Sequence, residues 1–475
     1  MIPPGTPRRE LEPDEVAALA AIVGARLLVG REEVEPHSHD ETEGYVSFPS
    51  AVVRPGSTSE VAAILAYCRR RRIPVTPQGG RTSLSAGAVP VHGGLALSLD
   101  RMSQILEIDE ANGVAVVESG VITQTLQEAA LARGLYYPPD PGSRASSTIG
   151  GNVAENAGGP HSAKYGVTGR WVLGLEAVFA DGTVVVTGGK TRKDVAGYDL
   201  TSLLVGSEGT LAVVTKAWLR LIPKPASTGT LVAPFPTLGA AARAVLEITR
   251  RGLVPAALEF VDKPSLDVAS ARKGVSVPFP DAEARLVIEF DGGTDDEVER
   301  EVVAAGEIAL ECGALDVVLA TDEAKRRQLW EVRRGIGEAV HDLGPSAELD
   351  LAVPRSELVA LVEGVRRIAA DAGLRVVVFG HAADGNLHVH LYHEEGPRAE
   401  SGRFQAVVAS MYAEAARLGG TVTGEHGVGL TSRDHLWLCR PPAFLAAMRA
   451  VKEALDPAGI LNPGKVLPPA GPASE

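Results

Sequence analysis

A chain of 475 residues is about three times the common domain length, which excludes a single small module and calls for two or three packed units. Hydrophobic residues make up 45% and charged residues 22%, a balance that excludes a mostly disordered chain. With 46 basic against 60 acidic residues the net charge is -14, so the positive field needed to hold a phosphate backbone is missing and no nucleic-acid partner is expected.

The N-terminal run MIPPGTPRRELEPDE has no apolar stretch of signal-peptide kind, and no later run is long enough to cross a bilayer, so no membrane span is expected. Cys68, Cys312 and Cys439 stand alone, against a disulfide framework, a CxxC pair or a thiolate zinc knot. The expected location is the cytoplasm. Ser57 and Glu60 have capping-box spacing, and Val61, Ile64, Leu65 and Cys68 then fall on one helical face. That helix leads through Arg69 to Arg72, a solvated end favoured by the helix dipole, into the strand-like Ile73 to Thr76 and the loop PQGGRTSLSAG at 77–87: a β-α-β signal. From Gly142 to Gly209 there are 14 glycines between strand-like runs, which implies many tight turns.

After Pro223 and Pro225 glycine thins out and a domain boundary is expected near 223–228. LVAPF, a helix over 238–251 and AALEFVD are followed by RLVIEFD, a helix over 294–312 and LDVVLA. A third group runs from LDLAVP through a helix over 356–372 to LRVVVF and LHVHLY, which suggests a sheet covered by helices. The stretch DPAGILNPGK at 456–465 returns to Gly/Pro-rich texture.

A P-loop is absent: Val184 stands where GKT at 189–191 would need its first glycine, and Gly459 to Lys465 ends in Val466 rather than a hydroxyl. No GxGxxG opens a helix after a strand, which disfavours a nicotinamide dehydrogenase. The segment PPDPGSRASSTIGGNVAENAGG at 138–159 concentrates glycines, hydroxyls and amides. On chemistry alone it fits an extended anionic cofactor or a turn-rich structural loop. Six of the 11 histidines, His381, His388, His390, His393, His426 and His435, lie within 55 residues. In GHAADGNLHVHLY the pair Asp384 and Gly385 can turn between two strands, and the period of two puts His388 and His390 on one face. Imidazoles with the carboxylate of Glu425, in TGEHGVG, suit zinc or manganese, although spacing alone does not separate ligand from base. A single strand histidine is ordinarily a hydrogen-bonded structural residue, the reading kept for His393 and His435.

PQGGRTSLSAG, PPDPGSRASSTIGGNVAENAGG, KYG at 164–166, LVGSEGTLAVVT at 204–215 and LNPGK at 461–465, in this order, resemble the FAD-linked oxidases of the vanillyl-alcohol oxidase and p-cresol methylhydroxylase fold. Within it the chain resembles the branch of D-2-hydroxy-acid dehydrogenases and glycolate oxidase FAD subunits. The resemblance implies an α+β fold: a p-cresol-methylhydroxylase-type FAD-binding domain over 1–225, a substrate and metal domain of antiparallel sheet covered by helices over 226–450, and a segment over 451–475 returning to the first domain. It also implies that Pro77, Gln78, Gly79, Gly80, Arg81, Thr82, Ser83 and Leu84 cradle the FAD pyrophosphate. Asp140, Ser147, Thr148, Gly151, Asn152 and Asn156 would line the flavin and ribityl chain, with Gly209, Val213 and Asn462 completing the cofactor site. Relatives often carry glycine where this chain has Arg81, Ser83 and Ala86. The nearest histidines, His92 and His161, do not stand where flavin is tethered in other branches, so the FAD is expected to be noncovalent.

By the same resemblance His381, His388 and Glu425 are metal ligands, His426 is the base and Arg333, in LWEVRRGIGEAV, binds the substrate carboxylate, a task suited to a planar guanidinium. Members that take dicarboxylates carry a lysine where Glu348 stands here. The expected reaction is oxidation of a D-2-hydroxy acid (glycolate, D-lactate or another monocarboxylate) to the 2-oxo acid, with a divalent metal assisting deprotonation and hydride passing to FAD. The alternative is a noncatalytic flavin subunit relaying electrons in a larger complex. Expected partners are the small 2-hydroxy acid, an electron acceptor for which another redox subunit is one candidate, and further copies of the chain.

Overall fold

The computed structural model describes residues 2, 5–274, 278–320, 322–343, 346–392 and 402–469. The chain divides into two compact units, one made of residues 1–158, 167–224 and 425–475, the other of 159–166 and 225–424.

The first unit opens on a small sheet of β1 (Leu27–Leu28), β2 (Ala51–Val53), β3 (Val75–Gln78) and β4 (Leu95–Ser98) in the order β1-β2-β4-β3. The Ser57 hydroxyl accepts from the Glu60 amide and starts the helix Thr58–Arg71, which ends at Arg72 in the left-handed region, φ 51°. Its Val61, Ile64, Leu65 and Cys68 are fully buried against Val53, Val75 and Leu97, while Arg69 to Arg72 stay exposed at the dipole's negative end. β2 and β3 both run parallel to β4, so the helix crosses between parallel strands. The C-terminal stretch is stitched beside them: Val75 donates to the Ile460 carbonyl and Asn462 donates back to Val75.

A second sheet follows, built from β5 (Ile105–Asp109), β6 (Val114–Glu118), β8 (Val172–Val178), β9 (Val184–Val186) and β10 (Val213–Arg220) in the order β5-β6-β10-β8-β9, while β7 (Leu135–Tyr136) pairs with β11 (Ile222–Pro223). Between these strands run the glycine-rich connections and the short helix Ile149–Glu155, whose N-terminus is capped by the Thr148 hydroxyl.

The second unit is one seven-stranded sheet of β12 (Ser227–Phe235), β13 (Ala257–Asp262), β14 (Ala284–Gly292), β15 (Val318–Leu319), β16 (Ser346–Ala352), β17 (Arg375–His381) and β18 (Asn386–Tyr392), ordered β15-β12-β14-β13-β17-β18-β16 with every pair antiparallel. β12 and β13 flank β14 rather than each other, as in ferredoxin-like units. The fold is α+β. Strand period two makes one face from Glu259, Val261, Val377, Phe379, His381, His388 and His390, since Glu259 lies opposite His381, Val261 opposite Phe379 and Phe379 opposite His388. Leu266, Ala269, Ile336 and Ala339 from helices Lys263–Lys273 and Ile336–His341 pack on its apolar part.

Residues 159–166 leave the first unit's sequence and dock on β14. Glu289 accepts from Trp330 Nε1 and Thr230 Oγ1, both at 2.7 Å, and meets His161 Nε2 at 3.5 Å. Asp291 accepts from Lys164 Nζ at 2.5 Å and Tyr165 Oη at 2.8 Å. Burial raises the Glu289 pKa, but the bonds from His161, Thr230 and Trp330 outweigh it and bring the carboxyl to about 2.

Candidate active site

In the first unit the loop at 77–84 is half-buried and lies against residues 146–151. A Cβ on Gly80 would run into the Ser146 carbonyl, and one on Gly79 into the Thr148 hydroxyl, so only bare backbone fits there. Arg81 and Ala86 hold φ of 57° and 59°, the left-handed region that glycine enters freely, so the backbone shape survives at two of the three positions where relatives often carry glycine. Among the described residues Arg81 has no ion pair. Burial lowers the pKa of this half-buried cation, which leaves it suited to an anion from outside the chain. These two features, a tight backbone cradle and a half-buried guanidinium without an ion pair among the described residues, fit a phosphate-bearing cofactor such as FAD.

Other side chains of the loops are spent within the protein. Gln78 exchanges bonds with His37 and gives its amide to the Ala88 carbonyl. Asn152 donates to Thr123 Oγ1, Ser147 pairs with the same hydroxyl, Asn156 Oδ1 accepts from the Gly169 amide, and Asp140 accepts from Arg144. They shape the cradle. Val213 is buried in β10, and Gly209 packs beside the Pro77 ring. Asn462 Nδ2 donates to the carbonyls of Gly87 and Glu208, leaving its buried Oδ1 without a partner among the described residues.

Beneath the loop Lys465 Nζ donates to the carbonyls of Ala86, Gly87 and Val89. Burial pulls its pKa down to about 8, against the opposing pull of the Asp40, Glu208 and Glu155 carboxylates. Burial, with Glu208 and Asp40 adding to it, pushes the Glu155 carboxyl well above its ordinary value. Glu208 takes the amides of Val428 and Gly429 at 2.7 and 2.8 Å, which anchors the backbone just after Glu425 and His426. Glu425 and His426 themselves belong to this unit, with Oε1 and Nε2 3.7 Å apart.

In the second unit the Asp384–Gly385 turn joins β17 to β18, and His381 and His388 come together edge to face, centroids 5.2 Å apart, with ligand nitrogens within 4.8 Å. His381 Nδ1 bonds Glu259 Oε1 at 2.6 Å, and the other oxygen of this carboxylate pairs with Arg333 Nη2 at 2.5 Å. Burial alone would raise the Glu259 pKa, but the charges of His381 and Arg333 hold it below the ordinary carboxyl value. The Arg333 guanidinium lies 4.8 Å over the Phe379 ring, which also stacks on His390 at 5.2 Å and meets His388 at 5.4 Å. Arg333 is nine-tenths buried, and its Nε has no partner among the described residues, a donor left for a ligand oxygen.

Glu348 lies across from His390 on β16, with a carboxylate oxygen 3.7 Å from its Nε2 and within 4.8 Å of a His388 ligand nitrogen. Asp350 accepts from Asn386 Nδ2, Thr423 Oγ1 and the Gly424 amide, which fixes the last residues of this unit before Glu425. The unit's donor set, two close imidazoles with carboxylates behind them, fits a divalent metal by chemistry. His393 lies outside the described residues. Sequence reading passed over Glu259, Glu208, Asp350 and Phe379. Of these Glu259 had a signal, a carboxylate inside the apolar run ALEFVD.

Residues 224–466 match the family described as FAD linked oxidases, C-terminal domain, and residues 49–188 the FAD binding domain. The chain is 44% identical to glycolate oxidase subunit GlcD of Bacillus subtilis, over 90% of this chain and 91% of that protein. It is 37% identical to D-lactate dehydrogenase of Anaerostipes hadrus, over 96% and 98% of the two chains. To the mitochondrial D-2-hydroxyglutarate dehydrogenase of Bos taurus it is 36% identical, over 96% and 84%. Among solved structures, p-cresol methylhydroxylase with substrate bound superposes with a TM-score of 0.81 at 17% identity, over 97% of this chain and 99% of that one. No helix among the described residues is long and apolar enough to cross a membrane.

Proposed function

The chain belongs to the FAD-linked oxidases, and from that membership we propose that it oxidises a D-2-hydroxy monocarboxylic acid, glycolate or D-lactate in type, to the 2-oxo acid. The observation that carries this reading is the cluster of Glu259, His381 and His388 on one face of a buried sheet, with Arg333 laid over it from the helix Glu323–Arg334. Buried charges add little net stability and cost several kcal/mol in desolvation, so such a cluster is better explained by chemistry than by folding. The relatives named for glycolate and D-lactate span nine-tenths or more of the chain, which points to the same class of substrate.

When bound, FAD would accept a hydride from the carbinol carbon and a divalent metal, zinc or manganese, would act as a Lewis acid on the hydroxyl. In this reading Pro77 to Leu84, Asp140, Ser147, Thr148, Gly151, Asn152, Asn156, Gly209, Val213 and Asn462 hold FAD noncovalently, and His381, His388 and Glu425 hold the metal. Arg333 receives the substrate carboxylate, its Nε and outer edge presenting donors in one plane. His426 takes the hydroxyl proton on a neutral ring nitrogen. Glu348 faces the imidazoles and disfavours a second substrate carboxylate, because like charges meet at low hydration. Electrons leave to an acceptor such as another redox subunit, and the chain works as a cytoplasmic homo-oligomer.

The experiment is a panel of D- and L-2-hydroxy acids with an artificial acceptor. D-Lactate and glycolate should exceed D-malate and D-2-hydroxyglutarate in kcat/KM. Equal efficiency with D-2-hydroxyglutarate would end the monocarboxylate assignment, and a flavin-loaded protein inactive on every acid would favour the electron-relay subunit.

A further inference from the structure

Glu259 sits where the sheet has no use for a charge. β13 is buried along its whole length, Leu258 and Phe260 flank the residue, and the side chain is fully enclosed. A carboxylate in such surroundings persists only when both oxygens are matched. One is hydrogen-bonded to His381 Nδ1 and the other is held by charge, in an ion pair with Arg333 Nη2 at 2.5 Å. The two partners arrive by different routes, His381 as the cross-strand neighbour on β17 and Arg333 from the last turn of the helix Glu323–Arg334. An ionised carboxylate can only accept, so the Nδ1 it touches carries the hydrogen and the lone pair of His381 is left on Nε2.

We propose that Glu259 is the positioning residue shared by a metal ligand and a substrate anchor: it sets the tautomer and ring orientation of His381 and fixes the guanidinium of Arg333 over Phe379. This rests on the reading in which His381 binds a divalent metal and Arg333 the substrate carboxylate. One buried anion then couples two tasks that would otherwise need separate supports. The same anion offsets the charge of Arg333, so that the cation can stay buried when no substrate carboxylate is present.

Zinc affinity of the FAD-loaded protein, measured by competition with a fluorescent chelator, tests the first task in four chains: wild type, Glu259→Gln, His381→Ala and the double variant. Glu259→Gln should weaken zinc binding about 10- to 100-fold. In the His381→Ala background the same change should matter less than about threefold, because the route through the imidazole is gone. No loss in the first background, or equal loss in both, overturns the proposal, the second result being that of a purely structural residue. Glu259→Asp keeps the charge on a shorter arm and should fall between wild type and Glu259→Gln, which keeps the test open if the glutamine variant does not fold.

The second task reads out as a split at saturating zinc: Glu259→Gln should raise KM for D-lactate ~10-fold with kcat within about threefold, since a loosened anchor weakens ground and transition states alike. A fall in kcat at constant KM overturns it. His388→Ala, which leaves the partners of Glu259 in place, separates the failures. Zinc retained in that variant removes the metal reading and the inference together, whereas zinc lost there but kept in Glu259→Gln removes the inference alone.

Discussion

The loops of the first unit and the β17–β18 face of the second solve opposite problems. Around 77–84 and 146–151 the loops meet through the bare backbone of Gly79 and Gly80, and polar side chains such as Gln78, Ser147 and Asn152 are turned inward to hold them in shape. On the β17–β18 face the working groups are side chains, carried by paired strands and fixed by buried carboxylates. Added bulk at the closest approach of the loops, Gly79 and Gly80, should be rejected there. The strand-borne cluster should be sensitive to the loss of any one functional group.

The largest effect should come from the chemistry itself. His426→Ala should lower kcat ~10²- to 10⁴-fold, as for loss of a general base, while flavin content and zinc content remain those of wild type. Unchanged turnover would remove His426 from the base role.

Next is a purely structural charge of the second unit. The Glu289 carboxyl has its folded pKa depressed to about 2, so its contribution is complete above the ordinary value near 4.5 and is lost as pH falls through 2. Glu289→Gln should therefore cost on the order of 2–3 kcal/mol at pH 7, seen as a lower midpoint in urea, with the gap to wild type closing as pH drops from 4.5 toward 2. A gap independent of pH would show that the carboxylate charge contributes nothing there.

Smaller again is the backbone test of the first unit. Gly80→Ala places a methyl against the Ser146 carbonyl and should weaken FAD binding by about 1–3 kcal/mol, with the zinc affinity of the protein unchanged. Ser147→Ala, whose hydroxyl is already paired with Thr123, should cost clearly less. The reverse ranking would mean that side chains, not backbone, make the cradle. The smallest effect concerns selectivity. Glu348→Lys should narrow the D-lactate to D-malate ratio in kcat/KM about two- to fivefold, the reach of a partly solvated charge. An unchanged ratio would show that Glu348 does not sense the second carboxylate.

The same contrast decides how much was legible in the sequence. The helix Thr58–Arg71 announces itself through Ser57, Glu60 and an apolar stripe because its signals are local, and the turn at Asp384 and Gly385 and the strand period that sets His388 and His390 on one face are legible for the same reason. What escaped depends on partners far away along the chain. Residues 161–165 join the second unit because Glu289 and Asp291 accept from them. Glu208 is tied to Val428 and Gly429, more than two hundred residues later. The insertion of β14 between β12 and β13 leaves no periodic mark, so the order of the strands in the antiparallel sheet was not legible. Arg81 and Ala86 show the converse, a departure in sequence that leaves the backbone conformation in the glycine region.

The most direct test is anaerobic mixing of the FAD-loaded protein with D-lactate and, separately, with L-lactate, followed through the flavin absorbance. The account predicts that D-lactate bleaches the bound flavin, that removal of divalent metal slows the bleaching, and that L-lactate leaves it oxidised. A flavin that stays oxidised with D-lactate and glycolate alike, or that is bleached by the L-isomer instead, would contradict it.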